Sequence, residues 1–110
     1  MHINVIYIGK IRSKVGQREE EIKAEPGSTV LSMLENLIEN HGKEFQDVVF
    51  DRDELVGGLN VIVDGINVTA TVLSNDPDEI ARFPDDSGEV TEVELVLLDA
   101  PPSGGSNNII

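Results

Sequence analysis

The sequence has no cysteine and no tryptophan, and only 4% of its 110 residues are aromatic. The missing thiols exclude disulfides, thiolate metal centres and a cysteine nucleophile. No apolar run approaches the roughly 20 residues of a membrane-spanning helix, so no membrane association is expected. The amino terminus has no basic segment leading into a long apolar core, so no secretory leader is expected and the chain reads as cytoplasmic. Bases are scarce: eight Lys and Arg stand against 21 Asp and Glu, a net charge of −13. Nucleic acid, whose phosphates call for clustered Lys and Arg, is excluded as a partner on that balance.

Parts for catalysis are missing too. His2 and His41 are far apart in sequence, and each reads as an isolated surface histidine. No serine sits in a G-x-S-x-G elbow. Asp76, Asp78, Asp85, Asp86 and Glu89 form an acidic stretch without the D-x-[DN]-x-[DN]-G spacing of a calcium loop, so no metal site is expected. Asn67, Val68 and Thr69 match a glycosylation acceptor, which is expected to be incidental where no secretory leader is expected.

What is present is one globular domain's worth of sequence, 39% apolar, with an uneven charge. In residues 1–43 Lys10, Arg12, Lys14, Arg18, Lys23 and Lys43 balance six glutamates, whereas residues 44–110 hold 15 acids against Arg52 and Arg82. The acidity belongs to the second part of the chain. It serves solubility or a salty cytoplasm on one reading, and steers a basic partner protein on another.

Residues 2–8 read as a strand, with Ile3, Val5 and Tyr7 on one side and Ile6 and Ile8 on the other. Residues 10–17 read as a basic, turn-prone link, and residues 18–24 as a half-exposed edge strand through Ile22 and Ala24. Pro26 and Gly27 break the chain, and Ser28 or Thr29 is placed to cap a helix. Val30, Met33, Leu34, Leu37 and Ile38 then form an apolar stripe at helical spacing, ended by His41 and Gly42. Residues 44–58 suggest a short helix or an irregular segment. Residues 59–63 form a strand, Asp64 and Gly65 a hairpin turn, and residues 66–70 the returning strand. Residues 74–89 read as a loop with a helical turn around Ile80 to Phe83. Residues 90–100 read as a central strand buried on both faces, with Val93, Leu95 and Leu97 on one side and Val96 and Leu98 on the other. The expected core is Leu34, Leu37, Val61, Val63, Val93, Leu95 and Leu97. Strands with one main helix packed across them make an α+β fold.

The chemistry concentrates in the tail. Pro101 and Pro102 remove two backbone donors and end the last strand. Ser103, Gly104 and Gly105 then switch to the most permissive backbone available. A stiff spacer leading into a double glycine suits a peptide that threads a narrow channel and leaves a carbonyl carbon open to attack.

The ending PPSGG, after a strand–strand–helix start with PGSTV at the helix entrance and LNVIVDGINV in the middle, resembles the β-grasp sulfur carriers and small modifiers. These are the ubiquitin-like family of the molybdopterin synthase small subunit, the thiamine sulfur carrier and the archaeal small modifier proteins. The resemblance covers residues 1–105 and implies a β-grasp domain over 1–100, with a mixed sheet of four to five strands, and a tail over 101–105. It implies that an E1-like enzyme uses MgATP to adenylate Gly105, with Gly104, Ser103, Pro102 and Pro101 read by partners, and that the chain is not itself an enzyme and holds no cofactor. The adenylate would go on to a thiocarboxylate for molybdopterin, tungsten-cofactor or thiamine-type biosynthesis, with a molybdopterin synthase large subunit as one partner. In a modifier, a lysine of a target protein would take the place of sulfur. A third reading is a β-grasp interaction domain that is never activated.

One departure matters. Residues 106–110, SNNII, follow Gly105, so its carbonyl is a peptide carbonyl with no free carboxylate. Five extended residues place the next carboxylate up to ~17 Å further on. The expectation is a precursor, cut after Gly105 by a processing peptidase.

Overall fold

The computed structural model describes residues 1–84 and 92–99. The tail residues Pro101, Pro102, Ser103, Gly104 and Gly105, the extension 106–110 and the acids Asp85, Asp86 and Glu89 lie outside the described residues.

The first strand, β1 (His2–Gly9), buries Ile3, Val5 and Tyr7 completely, as its alternation predicts. It runs into α1 (Lys10–Val15) where the sequence suggested only a link. The helix forms because Ile11 is drawn fully into the core and Gly16, at φ +88°, caps it by donating its N–H to the Arg12 carbonyl. Six residues with one buried position are too few for periodicity to reveal. The edge strand β2 (Glu19–Lys23) pairs antiparallel with β1, as expected.

The main helix, α2 (Val30–His41), starts at Thr29, whose Oγ1 accepts from the Ser32 N–H at 3.1 Å, and stops at Gly42, at φ +90°. It buries Val30, Met33, Leu34 and Leu37. A further short helix, α3 (Lys43–Val49), follows at once and buries Phe45 and Val49. Then comes a two-residue hairpin, β3 (Phe50–Asp51) and β4 (Glu54–Leu55), turned through Arg52 at φ +62°. So the segment read as short helix or irregular is helix plus hairpin.

Strand β5 (Leu59–Val63) turns through Asp64 and Gly65, both at positive φ as a type I′ hairpin needs, into β6 (Ile66–Asn67). The expected return strand over 66–70 stops there. Asn67 Oδ1 accepts from both the N–H and the hydroxyl of Thr69, which curls the chain into a 3₁₀ turn, Thr69–Thr71. The helical turn expected at Ile80 to Phe83 occurs earlier, where Glu79 and Ile80 donate to the Asp76 carbonyl. Ala81 and Phe83 are instead extended and buried, with Arg82 bridged to Thr29.

The last strand, β7 (Glu92–Asp99), lies in the middle of the sheet, ordered β2-β1-β7-β5-β6, parallel to β1 and antiparallel to β5. All seven expected core residues are buried between this sheet and the helices. Tyr7, Phe45 and Phe83 join them. The expectation of burial on both faces of β7 needs correction. Val93, Leu95 and Leu97 are fully buried, but Val96 and Leu98 are only half-buried. Among the described residues nothing covers that second face.

Candidate functional site

The tail that the sequence singles out follows Asp99 after one intervening residue in sequence, and the described residues define the end of β7, its root. Asp99 is paired on one side with Gly9 of β1 and on the other with Leu59 of β5. Gly9 adopts φ +93°, and a Cβ built on it would stand 2.4 Å from the Asp99 carbonyl oxygen. Only glycine lets β1 close on the end of β7, so this residue keeps the two strands paired up to Asp99.

The uncovered sheet face leads to that root. Cross-strand register places Ile6, Val96 and Ile62 in one row, and Ile8, Leu98 and Asn60 in the next. Ile8 is 37% exposed. An apolar patch thus lies on the open face just before the tail. Farther from the root the next row is polar, with Glu21, Asn4 and Glu94 side by side, and Glu94 donates its N–H to Asp64 Oδ1.

Charge near the end of β7 is mixed. Helix α1 starts directly after Gly9, and its Lys10, Arg12 and Lys14 are exposed. Arg12 Nε also donates to the Tyr7 carbonyl at 3.2 Å. On the other side, the acidic hairpin with Asp51, Asp53 and Glu54 leads through residues 56–58 into Leu59. The root stands between a basic helix and an acidic hairpin. Sequence reasoning missed this, because Lys10, Arg12 and Lys14 count toward the neutral half and become neighbours of the tail only through the parallel pairing of β1 and β7.

His41 is likewise not the isolated surface histidine that its sequence context suggests. Its Nε2 lies 2.5 Å from Glu20 Oε2, the oxygen that also accepts from the Tyr7 hydroxyl at 2.5 Å. The His41 and Glu20 side chains are each 19% exposed, and Phe45 packs edge-on to Tyr7 and tilted against the His41 ring. Burial, together with the hydrogen bond and charge of Glu20, pushes the Tyr7 phenol above its ordinary range. The cluster ties β1, β2 and α2 together, and holds no nucleophile poised over an open cavity. His2, by contrast, is an exposed partner of Glu21 at 3.5 Å. Among the described residues no group of three or more His, Asp or Glu could hold a metal ion, and no helix is long and apolar enough to cross a membrane.

Solved structures share this fold. The chain superposes on the small archaeal modifier protein SAMP1 of Haloferax volcanii with a TM-score of 0.63 and 21% identity, covering 96% of this chain and 100% of that one. SAMP1 of Methanosarcina acetivorans gives 0.65 at 20% identity, with 94% and 96% covered. CysO, from the BexX/CysO complex of Amycolatopsis orientalis, gives 0.59 at 21% identity, with 90% and 96% covered. The fold is the β-grasp. Its structural neighbours are ubiquitin-like sulfur carriers and small modifiers, small carrier proteins rather than enzymes. Neither a protein-family profile nor a characterised protein sequence matches the chain. In this β-grasp domain, as the sequence led one to expect, the sheet is mixed and five-stranded, and α2 is the main helix across it.

Proposed function

We propose that the chain is a ubiquitin-like sulfur carrier whose working group is the carboxylate of Gly105, exposed by removal of residues 106–110. The observation that carries this reading is the sequence position of PPSGG: it follows, after Ala100, the central strand of a β-grasp sheet, and the end of that strand borders an uncovered apolar face. From Asp99, six residues let Gly105 reach at most about 20 Å from the domain. That suits a tail inserted into a partner while the Ile6, Ile8, Val96 and Leu98 surface docks against it.

The steps balance as follows. A peptidase adds water across the Gly105–Ser106 bond, leaving a Gly105 carboxylate and a free Ser106 amine. One carboxylate oxygen attacks the α-phosphorus of MgATP on an E1-like enzyme and displaces pyrophosphate. Hydrosulfide then attacks the carbonyl carbon of the acyl-adenylate, AMP departs, and a thiocarboxylate remains. Glycines at 104 and 105 leave that carbon unshielded. The domain supplies no acid or base and serves as the handle.

A second reading has a specific observation behind it: two of the structural neighbours are named modifier proteins. There the attacking group is the amine of a target lysine, and the product is an isopeptide bond. The activation step is common to both. Chain ending at Gly105, incubated with an activating enzyme, MgATP and sulfide, is expected to gain the mass difference of sulfur for oxygen. High-mass conjugates of tagged chain in host lysate, with no thiocarboxylate, would replace the first reading with the second.

A further inference from the structure

A separate surface stands on the far side of β1 from β7. The β1–β2 ladder is bonded through Tyr7 N–H to the Arg18 carbonyl and through Ala24 N–H to the Met1 carbonyl. Antiparallel bonding alternates, so Glu20 and Ile22 also turn their backbone groups toward β1. The N–H and C=O groups of Glu19, Glu21 and Lys23 therefore point away from the sheet. Among the described residues no strand pairs with them.

Exposed edges are commonly blunted by proline, bulges or charged side chains. This one has neither proline nor bulge, and it carries three consecutive glutamates with one lysine at its end. On a chain of net charge −13, those carboxylates repel a second copy and attract a cationic strand. Beside the edge, between the end of β2 and the flank of α2, runs an open trough of about 390 Å³. Its walls carry Glu25, Glu35 and Glu39 against Lys23, and Met33 contributes apolar surface. Ser28 Oγ, also in its lining, is buried without a hydrogen-bond partner. The Tyr7–Glu20–His41 cluster holds β2 against α2, so the edge and the trough keep a fixed spacing and little ordering is left to binding.

We propose that the free edge of β2 and the adjoining trough form a docking strip for an extended, basic segment of a partner protein, which adds as a strand beside Glu19, Glu21 and Lys23 while its cationic side chains meet Glu19, Glu21, Glu35 and Glu39. Main-chain bonding supplies affinity in this mode, and side-chain charge supplies the choice of partner. The strip lies two strands away from β7 and works whether or not Gly105 is activated.

The test uses the isotope-labelled full chain and a peptide of about nine residues of Lys and Val, with Lys at two of every three positions so that cations face both sides of the added strand, a length that covers one strand. Two control peptides carry a central proline, or Glu in place of Lys. The Lys–Val peptide is expected to slow amide exchange at Glu19, Glu21 and Lys23, whose N–H groups gain acceptors, and to shift resonances along α2 at Glu35 and Glu39. The proline peptide, and the exposed double variant Glu35→Lys with Glu39→Lys, are each expected to weaken binding by about tenfold or more. Circular dichroism of the double variant checks that its fold is kept. Equal affinity for the proline peptide, shifts centred on the acidic hairpin, or no binding of the Lys–Val peptide would each overturn the proposal.

Discussion

Along β1 and β7, neighbouring residues of the same apolar type face two different surroundings. Ile3, Val5, Tyr7, Val93, Leu95 and Leu97 are sealed beneath the helices, whereas Ile6, Val96 and Leu98 are half-buried and Ile8 is exposed. The closed face therefore carries stability, at about 25 cal/mol for each Å² of apolar surface removed from water. The open face keeps some apolar surface, most of it at Ile8, to bury against a partner. On the function proposed above, its position beside the end of β7 makes that remainder a recognition surface.

Substitutions on the two faces should therefore separate stability from recognition. The largest loss is expected from Leu95→Ala on the closed face, about 2–5 kcal/mol by chemical denaturation. A loss below about 1 kcal/mol would mean that the face is not the core described. Next is Gly9→Ala, where the backbone conformation alone costs about 1–3 kcal/mol and the new Cβ meets the Asp99 carbonyl. Tyr7→Phe comes third, at about 1–3 kcal/mol, since Glu20 loses a donor inside the cluster.

The same tyrosine predicts an alkaline limit. Its pKa is raised on folding, so the stability it lends is complete below the unfolded value near ~10 and is lost as pH rises beyond it. Denaturant midpoints should fall above that pH in the parent more steeply than in Tyr7→Phe. Because the chain has a single tyrosine, tyrosinate absorbance should appear together with unfolding. The smallest effect on stability is expected from Ile8→Asp on the open face, about 1 kcal/mol or less. It should nonetheless weaken capture by the activating enzyme by about tenfold or more, as for a central contact. If it unfolds the domain, or leaves capture intact, the division between the faces fails.

The alternation in β1 and β7, the stripe on α2 and the Asp64–Gly65 turn were all legible in the sequence, because strand, helix and hairpin periodicities are local. Fold class and core followed from them. Local patterns could not show that α1 forms around Ile11, because a single buried residue has no period. Nor could they show that Asn67 captures Thr69 and ends β6 after two residues. Placing Val96 and Leu98 required knowing that the helices all pack on the other side. At the site, PPSGG was visible as a motif, but its surroundings were not. The neighbours of the root, Gly9 and α1, are some 90 positions away in sequence and arrive there only through the parallel pairing of β1 with β7. Glu20, Tyr7 and His41 meet through the antiparallel β1–β2 pairing and the packing of α2, from three separate elements.

Whether Gly105 is the activated residue is tested most directly by mass spectrometry of three chains: one ending at Gly105, the same chain with Gly105→Ala, and the full 110-residue chain. Each is incubated with the activating enzyme, MgATP and sulfide. The account predicts AMP release and a sulfur-for-oxygen mass gain for the chain ending at Gly105, with little or none for the other two. Equal modification of the full-length chain, or none of the chain ending at Gly105, would contradict it.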